Sequence, residues 1–269
     1  MDRTKDQWGE RFATCVNGVN IFAMGADYIP EDHLLGRVTP ETRDKEFGGW
    51  YSGITSDGKI LPNKQCYAHA FVILAASSAI LAGKSEAKKL LQDALDVYDL
   101  RFWNEEEGLS CDTWNTEFTK LDSYRGINAN MHTVEAFLAA ADVTGNQIYR
   151  IRAGRIIRHV IAWAGENDWR IPEHFTSDWI ADLECNKDHP ADQFKPYGAT
   201  PGHGIEWARL IVQWAVSTYQ DDENNQLLST VWPGKSDLYH AFQATLIPYN
   251  RVDLSIACAI KEKKDGGLE

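Results

Sequence analysis

The 269-residue chain carries 27 basic against 39 acidic side chains, a net charge of −12, with 43% hydrophobic and 25% charged residues. This is the composition of a globular protein, and the acidic balance with no basic stripe excludes a phosphate-backbone binder, so no nucleic-acid partner is expected. The start, MDRTKDQWGERF, lacks the apolar core of a signal peptide, and the longest apolar run, AFVILAASSAILAG, is shorter than the ~20 residues of a membrane span, so no membrane partner is expected either.

Residues 1–47 read as a unit of their own, strand and loop: VNGVNIFAMGADYIPEDHLLGRV has β-branched and aromatic residues, Asn-Gly turn chemistry and no helical stripe. From residue 48 the pattern changes. A short hairpin is expected near 48–61, turning at Asp57-Gly58. Helical periodicity then covers 64–83 and 85–102, a hairpin broken at Gly83 with Ser85 as the second N-cap. A second short β-hairpin is expected at 105–119. The helical plan repeats at 128–144 and 146–164, broken at Gly145, with further helices at 203–219, 236–246 and 253–262. Paired helices with short Gly-containing links make the class all-α, in an α/α layered architecture. Five cysteines lie far apart with no C-x-x-C pair, which suits free thiols in a reducing cytoplasm.

Two stretches carry the same local arrangement. In INANMHTVEAF, His132 precedes Glu135 by three residues, and in TPGHGIEWA, His203 precedes Glu206 by three. On a helix that spacing places both side chains on one face. His240, in WPGKSDLYHAF, also lies near an expected helix start. Three histidines near three helix N-termini could gather at one end of a helical array. There the helix dipole favours neutral imidazole, the form that takes a proton from carbon beside a carbonyl. Two H-x-x-E pairs could instead supply four ligands to a metal. Ten tryptophans suit either a core or a sugar-stacking cleft.

The segments YRGINANMHTVEAFLAAADVTG, RIPEHF, PYGATPGHGIEWARL and WPGKSDLYHAFQATLIP together resemble the N-acylglucosamine 2-epimerase superfamily, in its mannose isomerase and sulfoquinovose isomerase branch. The resemblance implies an (α/α)6 toroid-type barrel and a monosaccharide substrate. It also implies proton transfer between C1 and C2 through a cis-enediolate, with no metal or other cofactor. Carried over residue by residue, it makes His203 and His240 the general acid/base pair and His132 the ring-opening histidine. Glu206 becomes the carboxylate that orients a neighbouring histidine, and Arg125, Asn128, Glu173 and Trp232 line the pocket. Phe71 stands where relatives of the sulfoquinovose branch carry arginine, which implies a neutral hexose.

The chain departs from that pattern in two ways. A closed barrel of twelve helices needs roughly 350–400 residues at ~12–15 per helix plus loops. Here STYQDDENNQLLSTVWPGK joins the G-H-x-x-E-W helix directly to the W-P-G-K motif, so residues 48–269 read as an incomplete barrel. Residues 16–43 resemble a fragment of family-two glycoside hydrolases of the β-mannosidase type. The leading expectation is an aldose–ketose isomerase of the mannose–fructose kind, or a truncated relative. The alternatives are a sugar 2-epimerase using the same enediolate, a non-catalytic carbohydrate-binding remnant, and a glycoside hydrolase with Glu173 and Glu206 as its carboxylates. A homo-oligomer that supplies the missing helices is left open.

Overall fold

The computed structural model describes residues 42–55, 58–192 and 195–218, together with four short strands ahead of them. The chain divides into two units at Glu31 and Asp32. The first contains two antiparallel strand pairs, β1 (Lys5–Asp6) with β2 (Gly9–Glu10) and β3 (Thr14–Val16) with β4 (Val19–Ile21). The β3–β4 register joins Val16 to Val19 across the sequence dipeptide Asn17-Gly18. The helices expected at 236–246 and 253–262, and with them Trp232 and His240, lie outside the described residues, as do residues 22–41 of the hydrolase-like segment.

Among the described residues of the second unit are five helices: α1 (Cys66–Leu81), α2 (Ala87–Arg101), α3 (Ile127–Thr144), α4 (Ile148–Glu166) and α5 (Pro201–Thr218). Gly83 and Gly145 end α1 and α3 in the left-handed region, at φ +83° and +73°, where a residue without Cβ carries no steric cost. The N-cap is a correction: α2 starts after Glu86 with no side-chain cap, and Ser85 contributes only its carbonyl, to the amide of Lys88. Helix α3 is buried along most of its length. Its alanine-rich stretch, AFLAAAD, lets α1, α4 and α5 all pack against it. Trp50, Ile73, Tyr98, Phe102, Phe137, Ile156 and Trp207 fill the core between these helices.

Strands close each helical pair. β5 (Asn63–Gln65), just before α1, pairs antiparallel with β8 (Thr113–Asn115), which follows α2. β9 (Arg125–Gly126), just before α3, pairs antiparallel with β10 (His174–Phe175), which follows α4. The two halves thus share a plan of strand, helix, helix, returning strand. These pairings revise the sequence expectation in three places. Residues 63–65 are strand rather than the first turn of a helix. The hairpin expected over 105–119 is instead β6 (Trp103–Asn104) with β7 (Leu109–Ser110), because Thr113–Asn115 is taken by β5. The β9–β10 pair was not expected at all. Near 48–61 an antiparallel bridge joins Ile54 to Ile60, around the expected turn. No helix of the described residues is long and apolar enough to cross a membrane.

Candidate active site

The β9–β10 ladder positions the site. Its consequence is that the entry to α3 and the residue before β10 are stitched together, the amide of Ile127 donating to the carbonyl of Glu173 at 3.0 Å. Glu173 then reaches the start of α5. Its Oε1 accepts the amide of Thr200 at 3.1 Å, and its carboxylate accepts the imidazole Nδ1–H of His203 at 3.0 and 3.1 Å. Pro201 opens α5, a position where the missing amide of proline costs nothing. His174, the next residue, holds the same loop from its other end: its Nε2–H donates to the carbonyl of Pro196 at 2.8 Å, and its Nδ1 accepts the Tyr124 hydroxyl at 2.8 Å. The segment that delivers His203 is therefore gripped at both ends by two consecutive residues, Glu173 just before β10 and His174 its first residue.

This geometry sets the tautomer of His203. A carboxylate on Nδ1 requires the proton there, which leaves Nε2 with its lone pair as the basic nitrogen. The same carboxylate stabilises the imidazolium that forms when Nε2 takes a proton, the logic of an oriented acid/base histidine.

His132 lies in the second turn of α3 and is buried. Its Nδ1 lies 3.4 Å from Glu135 Oε2 and 4.0 Å from Glu206 Oε1. The rings of Tyr67 and Phe71 from α1 flank it, with centroids 5.1 and 4.8 Å away. Arg209, one turn beyond Glu206 on α5, places Nη2 2.7 Å from Glu135 Oε1 and 3.9 Å from Glu206 Oε1. Burial alone would raise the Glu135 carboxyl, but the Arg209 guanidinium and His132 hold it well below the usual carboxylate range. Among the described residues, His132, Glu135 and Glu206 are the group whose ligand atoms could hold a metal ion, all within 4.8 Å of one another.

The two H-x-x-E pairs thus differ. His132 has its own-helix glutamate within reach, whereas the carboxylate on His203 Nδ1 comes from Glu173, thirty residues away along the chain. Glu206 is placed against His132 and Arg209. Asn128 lies at the start of α3 with a buried Oδ1 that makes no hydrogen bond among the described residues. Arg125 is buried, and its Nη1 donates to the carbonyls of Asp122 at 2.6 Å and Tyr124 at 2.9 Å, so that part of its guanidinium braces its own loop. Arg209 and Tyr67 were not among the expected site residues, and Glu135 was expected only as half of an H-x-x-E pair. Glu135 was legible as the partner three residues after His132, and Arg209 as the residue three after Glu206. Tyr67 had no local signal.

Residues 32–228 match the family model described as N-acylglucosamine 2-epimerase. The chain belongs to the N-acylglucosamine 2-epimerase family. It is 46% identical over 183 residues to a D-mannose isomerase of Pseudomonas cannabina pv. alisalensis, covering 67% of this chain and 44% of that one. It is 45% identical over 183 residues to a D-mannose isomerase of Thermobifida fusca, covering 67% and 45%. A crystal structure of D-mannose isomerase superposes with a TM-score of 0.62 at 33% identity, over 66% of this chain and 46% of that one. The cellobiose 2-epimerase of Spirochaeta thermophila DSM 6192 superposes with a TM-score of 0.59 at 19% identity, over 73% and 49%, a likeness of fold. This member of the N-acylglucosamine 2-epimerase family therefore spans less than half the length of these relatives. The described helices match the toroid structures over about half of their chains.

Proposed function

We propose that the chain is a sugar isomerase that interconverts an aldose and its ketose, of the mannose–fructose kind, by moving a proton between C2 and C1 through a cis-enediolate. The observation that carries this reading is the Glu173–His203 pair. It sits at the N-terminus of α5, within residues 32–228 that match the N-acylglucosamine 2-epimerase family model. An imidazole whose Nδ1–H is held by a buried carboxylate offers Nε2 to the carbon acid.

In this reading His203 Nε2 takes the proton from C2 of the open-chain aldose, and electrons shift to make the enediolate. The proton is delivered at C1 while the O2 hydroxyl proton passes to O1, so that the C1 carbonyl becomes a hydroxyl and C2 the new carbonyl. His240 is the proposed second acid/base group, by its match to the family motif. His132 is proposed to donate to the ring oxygen on opening, and Glu206, beside it, to bind a hydroxyl. Asn128, Arg125 and Trp232 are proposed as pocket residues, the unmatched Oδ1 of Asn128 being free to accept a sugar hydroxyl. The aromatic pair Tyr67 and Phe71 beside His132 supports a neutral sugar, whose C–H faces pack on rings.

The test is the product formed by the full chain from mannose and, separately, from glucose, followed by ¹³C NMR. Fructose from mannose, lost in His203→Ala, is the expected result. Interconversion of the two aldoses without a ketose would favour a 2-epimerase, and no product from either would leave a binding remnant.

A further inference from the structure

One imidazole and two carboxylates within 4.8 Å of one another form an ordinary ligand set for a divalent cation. In this cluster, however, a fourth group has entered. Arg209 is 5% exposed. Its Nη2 lies 2.7 Å from Glu135 Oε1 and 3.9 Å from Glu206 Oε1, and its Nη1 donates to Gln213 Oε1 at 3.1 Å. We propose that Arg209 is the resident cation of the His132–Glu135–Glu206 cluster. It acts as a positioning residue that fixes Glu135 against His132 and takes the place a divalent ion would otherwise occupy.

The charges require some such group. Two buried carboxylates this close repel each other, and a positive charge beside both offsets that repulsion. A guanidinium supplies that charge permanently, since it does not lose its proton in a protein. A divalent ion on oxygens of Glu135 and Glu206 would add a second positive charge to carboxylates that Nη2 already faces at 2.7 and 3.9 Å. Ion and guanidinium therefore compete for the same carboxylates. Positioning follows from which oxygen is engaged: Arg209 takes Oε1 of Glu135, leaving Oε2 to face His132 Nδ1 at 3.4 Å. That holds Nδ1 of His132 toward Glu135 and leaves Nε2 as the nitrogen pointing away from it. Lysine could supply the charge but not the fork that spans Glu135 and Gln213.

This arrangement of charge goes beyond the isomerase reading and does not depend on it, so the decisive readout is metal binding. The metal-free full chain is titrated with Co²⁺ near neutral pH and followed by visible absorption. Wild type should develop no His132-dependent band. Arg209→Gln, folded by circular dichroism, should bind one Co²⁺ per chain, and the added change His132→Ala should abolish it. Arg209→Lys, which keeps the charge, should remain colourless. A second arm reads position rather than charge, and rests on the isomerase reading. There Arg209→Gln should lower kcat more than tenfold with KM nearly unchanged, and Arg209→Lys should recover part of the loss. Co²⁺ uptake by wild type that disappears in His132→Ala would overturn the proposal, as would a folded Arg209→Gln protein that stays colourless. If Arg209→Gln does not fold, the comparison of wild type with His132→Ala decides on the same criterion.

Discussion

His69 is buried within α1 and locked as a neutral imidazole, which makes the stability of the fold depend on pH in a calculable way. Its Nδ1–H donates to the carbonyl of Gln65 at 2.8 Å, and its Nε2 accepts the amide of Trp50 at 3.0 Å. Protonation would set a ring N–H against that amide, donor against donor. Burial lowers its proton affinity, the Lys64 charge lowers it further, and the Gln65 carbonyl only partly offsets them, so the ring titrates at about 4 instead of 6.5. The unfolded chain therefore binds the extra proton first. Its contribution is fully present above pH 6.5 and is lost as pH falls toward 4. The interval from 6.5 to about 4 corresponds to about 3 kcal/mol. The assay is urea unfolding of wild type and His69→Gln from about pH 7 to about pH 4.5. Carboxylates such as Asp44 and Glu135 also lose stabilising charge in acid, so the quantity to compare is the difference in slope. Wild type should lose stability more steeply, by up to about 1.4 kcal/mol per pH unit, the value for one proton. Parallel curves would refute the reasoning, as would an imidazole of His69 that NMR finds protonated near pH 6 in the folded protein.

Other perturbations test other parts of the structure. Lys64 is fully buried against Asp44 at 2.9 Å, so Lys64→Met should cost about 3–5 kcal/mol by stranding a carboxylate, and adding Asp44→Leu should recover most of it in the urea midpoint. Gly154 on α4 lies so close to Trp214 of α5 that a Cβ there would come within 2.6 Å of indole Cε2. Gly154→Ala should therefore destabilise by about 1–3 kcal/mol, despite a gain in helix propensity, with a shift in tryptophan fluorescence. Glu173→Gln keeps the side-chain shape but removes the charge that fixes the Nδ1 proton of His203. It should lower kcat by roughly 10²–10⁴-fold while circular dichroism is unchanged, and an unaltered kcat would detach Glu173 from the acid/base role.

The helical pairs were legible because their signals are local. Apolar residues recur at helical spacing, and Gly83 and Gly145 stop α1 and α3 where a left-handed residue is needed. The two-residue strands were not, since β9 and β10 lie nearly fifty residues apart and no period can show in so short a run. The same non-locality hid the partner of His203. Sequence spacing points to Glu206, three residues on, whereas the carboxylate arrives from Glu173 through the β9–β10 ladder. Conversely, the pairing of His132 with Glu135 is a property of one helix turn, and the sequence displays it. Arg209 lies between these cases: its position on the Glu206 face of α5 follows from spacing, but its contact with Glu135 requires α5 to pack against α3.

The central claim is that His203 moves a proton between two carbons of a sugar. It is tested most directly by running the reaction of mannose in deuterated water, with wild type and His203→Ala side by side, and locating deuterium in the products by NMR. Proton transfer through an enediolate predicts deuterium at C1 of the fructose formed by wild type, and neither product nor label with His203→Ala. Fructose and label from the His203→Ala protein would contradict the account.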